Sequence, residues 1–182
     1  MDSSHGVFAP VIDEIEGAEA LDAPAGVVGE NVRRLTSPRA LKEALSGTWL
    51  GHAVHPLLTD LVIGSFVSAT VLDLIGPRDN GDAASRRLIA LGIAAYGPTA
   101  LTGASDWSDV EQTDGAVRRA GLVHAAANAG ALSLYVASFA ARRRGAHGRG
   151  VVLGLGGAAA LSFAAFLGGH LSFDRGVGVE RE

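Results

Sequence analysis

Four of the six histidines stand where long apolar stretches of the chain begin or end. They are His52, His55, His124 and His170. Imidazole nitrogens bind Zn, Cu, Ni and haem iron, so histidines brought together from several helices have the chemistry of a metal or haem site. Cysteine is absent, which excludes thiolate metal ligands, disulfides and cysteine nucleophiles.

Polar side chains accompany these histidines at helical spacing. Asn128 follows His124 by four residues and Asp106 follows Thr102 by four, so each pair shares one side of a helix. Asp60 lies about one turn beyond His55. We therefore predict a supporting set of hydrogen-bonding residues around the histidines: Asp60, Asp106, Asn128 and Thr102.

The elements that must position these residues are four apolar stretches long enough to cross a membrane. A helix needs ~20 residues to span the hydrocarbon layer, and the pattern predicts spans at about 56–76, 87–105, 119–142 and 150–171. With 48% apolar and 19% charged residues, the chain has too few charges for an ordinary soluble domain. Its 25 glycines suit close packing of helices in lipid. The predicted fold class is all-α, a four-helix transmembrane bundle with a polar N-terminal segment.

The first fifty residues are predicted to lie outside this bundle, with the membrane domain covering residues 51–182. The N-terminus has no basic segment followed by an apolar run, so it does not resemble a cleavable signal peptide. A short amphipathic helix is predicted to be capped by Ser37 and to start at Pro38. Trp49 and Trp107 are interpreted as interfacial anchors. No internal repeat is evident in the sequence.

Antiparallel threading of four spans brings the chemically interesting residues to one membrane face. His55 begins the first span, Asp106 and Asp109 follow the second, His124 opens the third and His170 closes the fourth. We predict that His55, His124 and His170 approach one another at a common depth, with His52 and Asp106 at the rim.

The loops at 76–87 and 142–150 carry seven arginines, against six basic residues near the span ends of the opposite side. The denser cluster at 142–150 predicts that these loops are cytoplasmic and that both termini lie outside. Asp73, near the loop side, is predicted to pair with an arginine of the 76–87 loop.

Three functions fit this arrangement. Two imidazoles from different helices are suited to ligate haem b, which predicts an electron-transfer component. Alternatively, a carboxylate joins His52, His55, His124 and His170 in a non-haem metal site. The third is a hydrogen-bonded network that fixes helix register in a non-catalytic membrane scaffold. The net charge of −4 gives no case for nucleic acid as a partner, and the sequence leaves open whether the chain is an enzyme.

Several motifs resemble those of a bacterial membrane protein family, domain of unknown function 2231. They are Leu45-Ser46-Gly47-Thr48-Trp49-Leu50-Gly51-His52-Ala53-Val54-His55-Pro56-Leu57-Leu58-Thr59-Asp60, Thr102-Gly103-Ala104-Ser105-Asp106-Trp107, Gly121-Leu122-Val123-His124, Gly168-Gly169-His170-Leu171 and Arg175-Gly176-Val177-Gly178-Val179. Relatives often have His-Pro-Leu-His-Pro where this chain has His52-Ala53-Val54-His55-Pro56, so both histidines remain.

The resemblance implies four spans in a bacterial cytoplasmic (inner) membrane, with the lipid bilayer as the first partner. Some relatives look as if they carry an added Rieske-type iron–sulfur domain, which this chain lacks because it has no cysteine. The resemblance therefore suggests a redox partner such as an iron–sulfur protein or a quinone.

Overall fold

The computed structural model describes residues 8–76 and 81–178, and all regular structure within them is helical. The helices are α1 (Ala9–Gly17), α2 (Asp22–Thr36), α3 (Arg39–Ser46), α4 (Val54–Ile75), α5 (Gly81–Val110), α6 (Gly115–Arg143) and α7 (His147–Gly169). Short 3-10 turns lie at Glu19–Leu21 and Thr48–Leu50, and one π-helical turn, His170–Asp174, follows α7.

The four long helices α4 to α7 are long and apolar enough to cross a membrane, which confirms the predicted all-α fold with four spans. All four begin before the predicted limits, and the largest differences are in α5, which runs from Gly81 to Val110, and in α6, which begins at Gly115. Hydropathy measures only the part of a helix that suits hydrocarbon, whereas the helical hydrogen bonds continue into the polar layer on either side.

The bundle places α4 and α6 diagonally opposite each other, because α4 packs against α5 and α7, and α6 packs against the same two helices. The core between them is closed by Phe66 of α4 and Tyr135 of α6. Their rings stack with centroids 3.7 Å apart and planes inclined by 3°. Val62 and Ala131 form the neighbouring buried layer.

A buried ion pair closes the end of the core away from the histidines. The Arg142 side chain is 0% exposed, and its Nη1 donates to Asp73 Oδ1 at 2.9 Å. Ser85 Oγ also donates to Asp73 at 2.7 Å, and Arg142 Nε donates to Ser138 Oγ at 3.2 Å. The predicted partner of Asp73 was an arginine of the 76–87 loop. The structure instead supplies Arg142 from α6, since Asp73 faces the bundle interior.

The N-terminal helices α1 to α3 form a layer against the end of the bundle that carries the histidines. In this layer α1 packs on α6, α2 on both α5 and α6, and α3 on α5 and the start of α4. Residues 8–50 thus lie outside the four spans but are folded onto them.

Two details of the predicted N-terminal and interfacial structure differ from the structure. Ser37 does not cap α3: its hydroxyl donates back to Arg34 O at 2.9 Å, and Pro38 occupies the cap position. Trp107 is only 8% exposed and donates from Nε1 to Val117 O at 3.2 Å, so it is a core residue and not an interfacial anchor. Trp49, by contrast, is 69% exposed.

Arginines of α6 hold α2 in place through one carboxylate. Arg119 Nη2 lies 2.7 Å from Asp22 Oδ2, and Arg118 Nη2 lies 3.0 Å from Asp22 Oδ1. Hydrogen bonds from Arg119 and then Arg118 lower the pKa of Asp22 to about 2, against the opposing effect of burial.

Replacing Asp22 with asparagine should loosen the N-terminal layer at neutral pH, because both ion pairs lose their charge. A depressed carboxyl pKa stabilises the folded form fully above the unfolded value of ~4, and the effect disappears as pH falls through the folded value. Hydrogen–deuterium exchange of α2 should therefore be faster in Asp22→Asn at pH 5 to 8, and equal in both proteins near pH 2. Glu30→Gln, on an exposed side chain of the same helix, is the matched control. Equal exchange of α2 in Asp22→Asn and the parent at pH 7 would contradict this role.

Gly121 allows Trp107 to pack against α6. A Cβ on Gly121 would collide with the Trp107 indole at Nε1 and Cδ1, whereas a Cβ on Gly130 of the same helix meets nothing within 4 Å. Gly121→Ala should cost about 1–3 kcal/mol of folding free energy, which is the usual range for overpacking. Gly130→Ala should leave the melting temperature in detergent unchanged or slightly raised. Equal melting temperatures for the two variants would contradict the close packing.

Candidate functional site

His55 is held by α5 at the start of the first span. Its Nδ1 lies 2.9 Å from the backbone oxygen of Thr99 and 3.2 Å from Thr102 Oγ1. The ring rests on Gly103, where a Cβ would come within 2.6 Å of the His55 Cε1 atom. The glycine therefore makes the space in which this imidazole lies against the neighbouring helix.

His124 is held by α7 in the same way. Its Nδ1 lies 2.9 Å from the backbone oxygen of Ala164. The ring rests on Gly168, where a Cβ would come within 2.9 Å of the His124 Cε1 atom. Asn128, one turn further along α6, places its amide nitrogen 3.1 Å from His124 Nε2.

These contacts assign the same tautomer to both rings. A backbone carbonyl only accepts, so each Nδ1 carries the proton and each Nε2 presents a lone pair. In His124 the amide nitrogen of Asn128 lies over the ring, 3.1 Å from Nε2 and 3.5 Å from Nδ1, and donates to the backbone oxygen of His124 at 3.0 Å. Nε2 is therefore the nitrogen with which either histidine can bind a metal.

The end of the bundle that contains the two histidines is more open than the rest. Val62, Phe66 and Tyr135 are all at most 5% exposed, whereas His55 and His124 are half-buried. Thr59 and Asn128, one turn deeper, are half-buried as well. The side chains at this end of the bundle are thus more exposed than those of the core around Phe66 and Tyr135.

The structure does not place His170 beside His55 and His124. Its Nε2 lies 2.7 Å from Glu16 Oε1 and its Nδ1 lies 2.9 Å from Asp174 Oδ2. His170 begins the π-helical turn and stands six residues beyond Ala164 of α7, about 9 Å along the axis at helical rise. Both ring nitrogens face carboxylates, so His170 belongs to an ionic cluster with Glu16 of α1.

The other predicted site residues are spread around this end of the bundle. Thr102 contacts His55 directly, and Asn128 contacts His124. Asp106 is buried beside Gly178, and Asp109 pairs with Lys42, Oδ1 to Nζ, at 2.6 Å. His52 and Asp60 are exposed.

Among residues 8–76 and 81–178, no three His, Asp or Glu side chains converge as a metal site. His52, His55, His124 and His170 are therefore not assembled into a common ligand set in this part of the chain. Two imidazoles remain as a matched pair.

A polar cavity of about 180 Å³ lies between the N-terminal layer and α5, away from the histidines. Its lining residues are Arg33, Thr36, Ser37, Lys42, Ser108 and Asp109. Both of its cations already have carboxylate partners, because Arg33 pairs with Glu111 and Lys42 with Asp109. The cavity consequently offers no uncompensated charge to a ligand.

The family described as predicted membrane protein (DUF2231) matches residues 51–181, which include all four spans and the two anchored histidines. The chain belongs to the DUF2231 family. No curated protein and no solved structure was found to match it. The matched segment begins just before His52, so the DUF2231 region contains α4 to α7 and leaves α1 to α3 outside it.

Sequence patterns of this DUF2231 chain identified the two histidines and two side chains that contact them, Thr102 and Asn128, but not the carbonyls that accept from the rings. The carbonyls of Thr99 and Ala164 carry no side-chain signal, because any residue supplies a backbone oxygen. Gly103 and Gly168 stand four residues later on the same helices, and helical spacing alone gave no reason to connect them with histidines on other helices.

Proposed function

We propose that this membrane protein binds one b-type haem through His55 and His124 and serves in membrane electron transfer. The observation that carries the proposal is the matched anchoring of the two imidazoles. Each donates its Nδ1 proton to a carbonyl of the adjacent helix, at 2.9 Å in both cases, and keeps Nε2 for a ligand. A histidine ligand typically has its second nitrogen bonded in this way, which fixes the ring and raises its basicity.

The donor set fits haem better than a bare metal ion. The porphyrin provides four nitrogens, so the protein needs to supply only two axial ligands. A structural zinc site needs four protein ligands and a catalytic one three, and the described residues do not bring three together. A bound haem would supply one-electron redox chemistry in an apolar surrounding.

The residues of this chain would orient the group and set its environment. Gly103 and Gly168 let the imidazoles lie flat against α5 and α7. Asn128 would release Nε2 of His124 and stay beside the ligand as a hydrogen-bond donor, and Thr102 would keep its contact with His55. Polar partners of this kind and the apolar walls of the bundle tune the reduction potential.

The setting we propose is the bacterial cytoplasmic membrane, with both termini on the outer face. The lipid bilayer is the surrounding medium of the four spans. Because a bis-imidazole haem leaves no iron position for a substrate, the partners that fit are electron carriers, either a quinone within the bilayer or a separate iron–sulfur protein.

A second function is favoured by a specific observation. Both imidazoles already have protein partners: His55 has Thr99 and Thr102, and His124 has Ala164 and Asn128. Such a network alone would fix the register of the helices in a membrane scaffold without a cofactor.

Absorbance spectroscopy distinguishes the two functions. Protein purified in detergent and titrated with haemin should bind one haem per chain and give the low-spin spectrum of two imidazole ligands. Haemin also enters micelles, so the His55→Ala/His124→Ala double variant in the same detergent is the reference. Identical spectra for the parent and the double variant would overturn haem binding and leave the scaffold function.

A further inference from the structure

We infer that the four spans are two copies of one helical hairpin related by a two-fold axis. The histidine site lies across this axis and would bind a flat macrocycle in the same way on both of its faces. The first hairpin is α4–α5 and the second is α6–α7. The inference deepens the proposed function and rests on it for the nature of the ligand.

Residues of α4 and α6 that are a fixed number of positions apart in the sequence occupy equivalent places in the two helices. Five residues of α4, His55 and four buried residues, have counterparts sixty-nine positions later in α6. The pairs are His55 and His124, Val62 and Ala131, Phe66 and Tyr135, Ala69 and Ser138, Asp73 and Arg142. All side chains of the four pairs after the histidines are buried, at the heptad-like spacing expected of facing helices.

Two of these pairs locate the axis, because a residue that contacts its own counterpart must lie beside it. Phe66 stacks on Tyr135, and Asp73 pairs with Arg142. Seven residues separate the two contacts, about 10 Å of helix, so they define a line along the middle of the bundle. Repeats related by an axis along the membrane normal are known in membrane transporters.

The second helices of the two hairpins, α5 and α7, fit the same axis. Their equivalent residues are sixty-five positions apart in the sequence. Thr99 and Ala164 provide the carbonyls for the two histidines, and Gly103 and Gly168 lie under the two rings. The separation is four residues smaller because the segment joining the two helices is shorter in the second hairpin.

A third set of contacts repeats in the core. A Cβ on Gly92 would lie 2.5 Å from Phe66 Cε1, and a Cβ on its counterpart Gly157 would lie 3.0 Å from Tyr135 Cδ2. Each aromatic ring thus packs on the glycine of its own hairpin and on the ring of the other hairpin. The sequence interpretation, that the chain has no internal repeat, was wrong. Few equivalent positions of the two hairpins have identical residues, but these positions make equivalent contacts.

The axis determines what the site can hold. His55 and His124 precede the stacked rings by eleven residues, about 16 Å of helix, and so stand at equal depth on opposite sides of the axis. A ligand on the axis meets the same imidazole, carbonyl and glycine twice. Thr102 on one side and Asn128 on the other make the two faces similar but not identical.

The first arm of the test measures the axis without any cofactor. The chain contains no cysteine, so spin labels can be attached at introduced cysteines alone. The exposed positions Leu57 and Leu101 have the exposed counterparts Ala126 and Phe166. Two-fold symmetry requires the distance between labels at 57 and 166 to equal that between labels at 101 and 126, within the measured widths. Clearly unequal distances in double electron–electron resonance would overturn the repeat.

The second arm measures the equivalence of the two faces with haemin. Gly103→Ala and Gly168→Ala should each weaken haemin binding by a similar factor, on the order of 10–100-fold, the usual effect of disturbing the group that orients a histidine ligand. Gly97→Ala on α5 and Gly156→Ala on α7, where a Cβ has open space or ordinary contact, are the controls and should bind as the parent does.

The two arms fail separately. If only one of the two glycine variants weakens haemin binding, the two faces of the site are not equivalent. Haem binding itself would stand. Absence of specific haemin binding by the parent, with equal label distances, would refute the proposed function and the macrocycle but not the repeat.

Discussion

Replacing His55 with alanine, or His124 with alanine, should abolish the low-spin haem spectrum of the detergent-purified protein. Each variant removes one of the two imidazoles that would hold the haem, and affinity should fall by at least ~100-fold, since even groups that orient a histidine ligand contribute 10–100-fold. Haemin titration followed by absorbance and electron paramagnetic resonance measures both effects.

The controls are the other histidines. His147 lies at the opposite end of the bundle and pairs with Asp82 at 2.6 Å, and His52 is exposed outside the spans. His147→Ala and His52→Ala should both keep the parent spectrum. If the low-spin spectrum survives in His55→Ala and disappears in His52→Ala, the ligand is His52 and not His55. That result would refute the proposed pair.

Removing either partner of the ion pair between Asp73 and Arg142 should have the largest effect on stability. Breaking a buried pair leaves an uncompensated charge, which typically costs 3–5 kcal/mol. Among the described residues, Arg142→Ala would leave Asp73 with the Ser85 hydroxyl, and Asp73→Ala would leave Arg142 with the more distant Asp82 at 3.5 Å. Both variants should melt far below the parent in detergent, or fail to fold.

Arg144→Ala provides the matched control for this pair. Arg144 is exposed and ends the same helix two residues later, so its loss should change stability by no more than ~0.5 kcal/mol, as is usual for surface substitutions. A melting temperature of Arg142→Ala equal to that of Arg144→Ala would contradict the structural role of the buried pair.

The spans were predictable because hydropathy over about twenty residues is a local property of the chain. The depth of His55 and His124 in the membrane was also predictable, since the number of residues between each histidine and the start of its helix can be read from the sequence. Antiparallel threading then places both at the same end of the bundle without further information.

The partners of the polar groups were not predictable, because they are set by contacts between distant parts of the chain. Asp73 has arginines nearby in sequence, but its actual partner is sixty-nine residues away. His170 occupies the expected end of α7, and only the position of Glu16, in a helix that the hydropathy pattern did not suggest, explains why its ring is turned to that carboxylate. Trp107 likewise needed the close approach of Gly121 to become a core residue.

The cluster around Glu16 also bears on the order in which the molecule is assembled. Glu16 accepts hydrogen bonds from Arg175, and its carboxylate lies against His170, so the first helix of the chain is held by residues that follow the last one. During synthesis α1 emerges before any span has been made, yet its binding surface is completed only when α7 and the turn after it are in place. Contacts across such a separation form late. The N-terminal layer can therefore be completed only after the fourth span and the turn that follows it have been made.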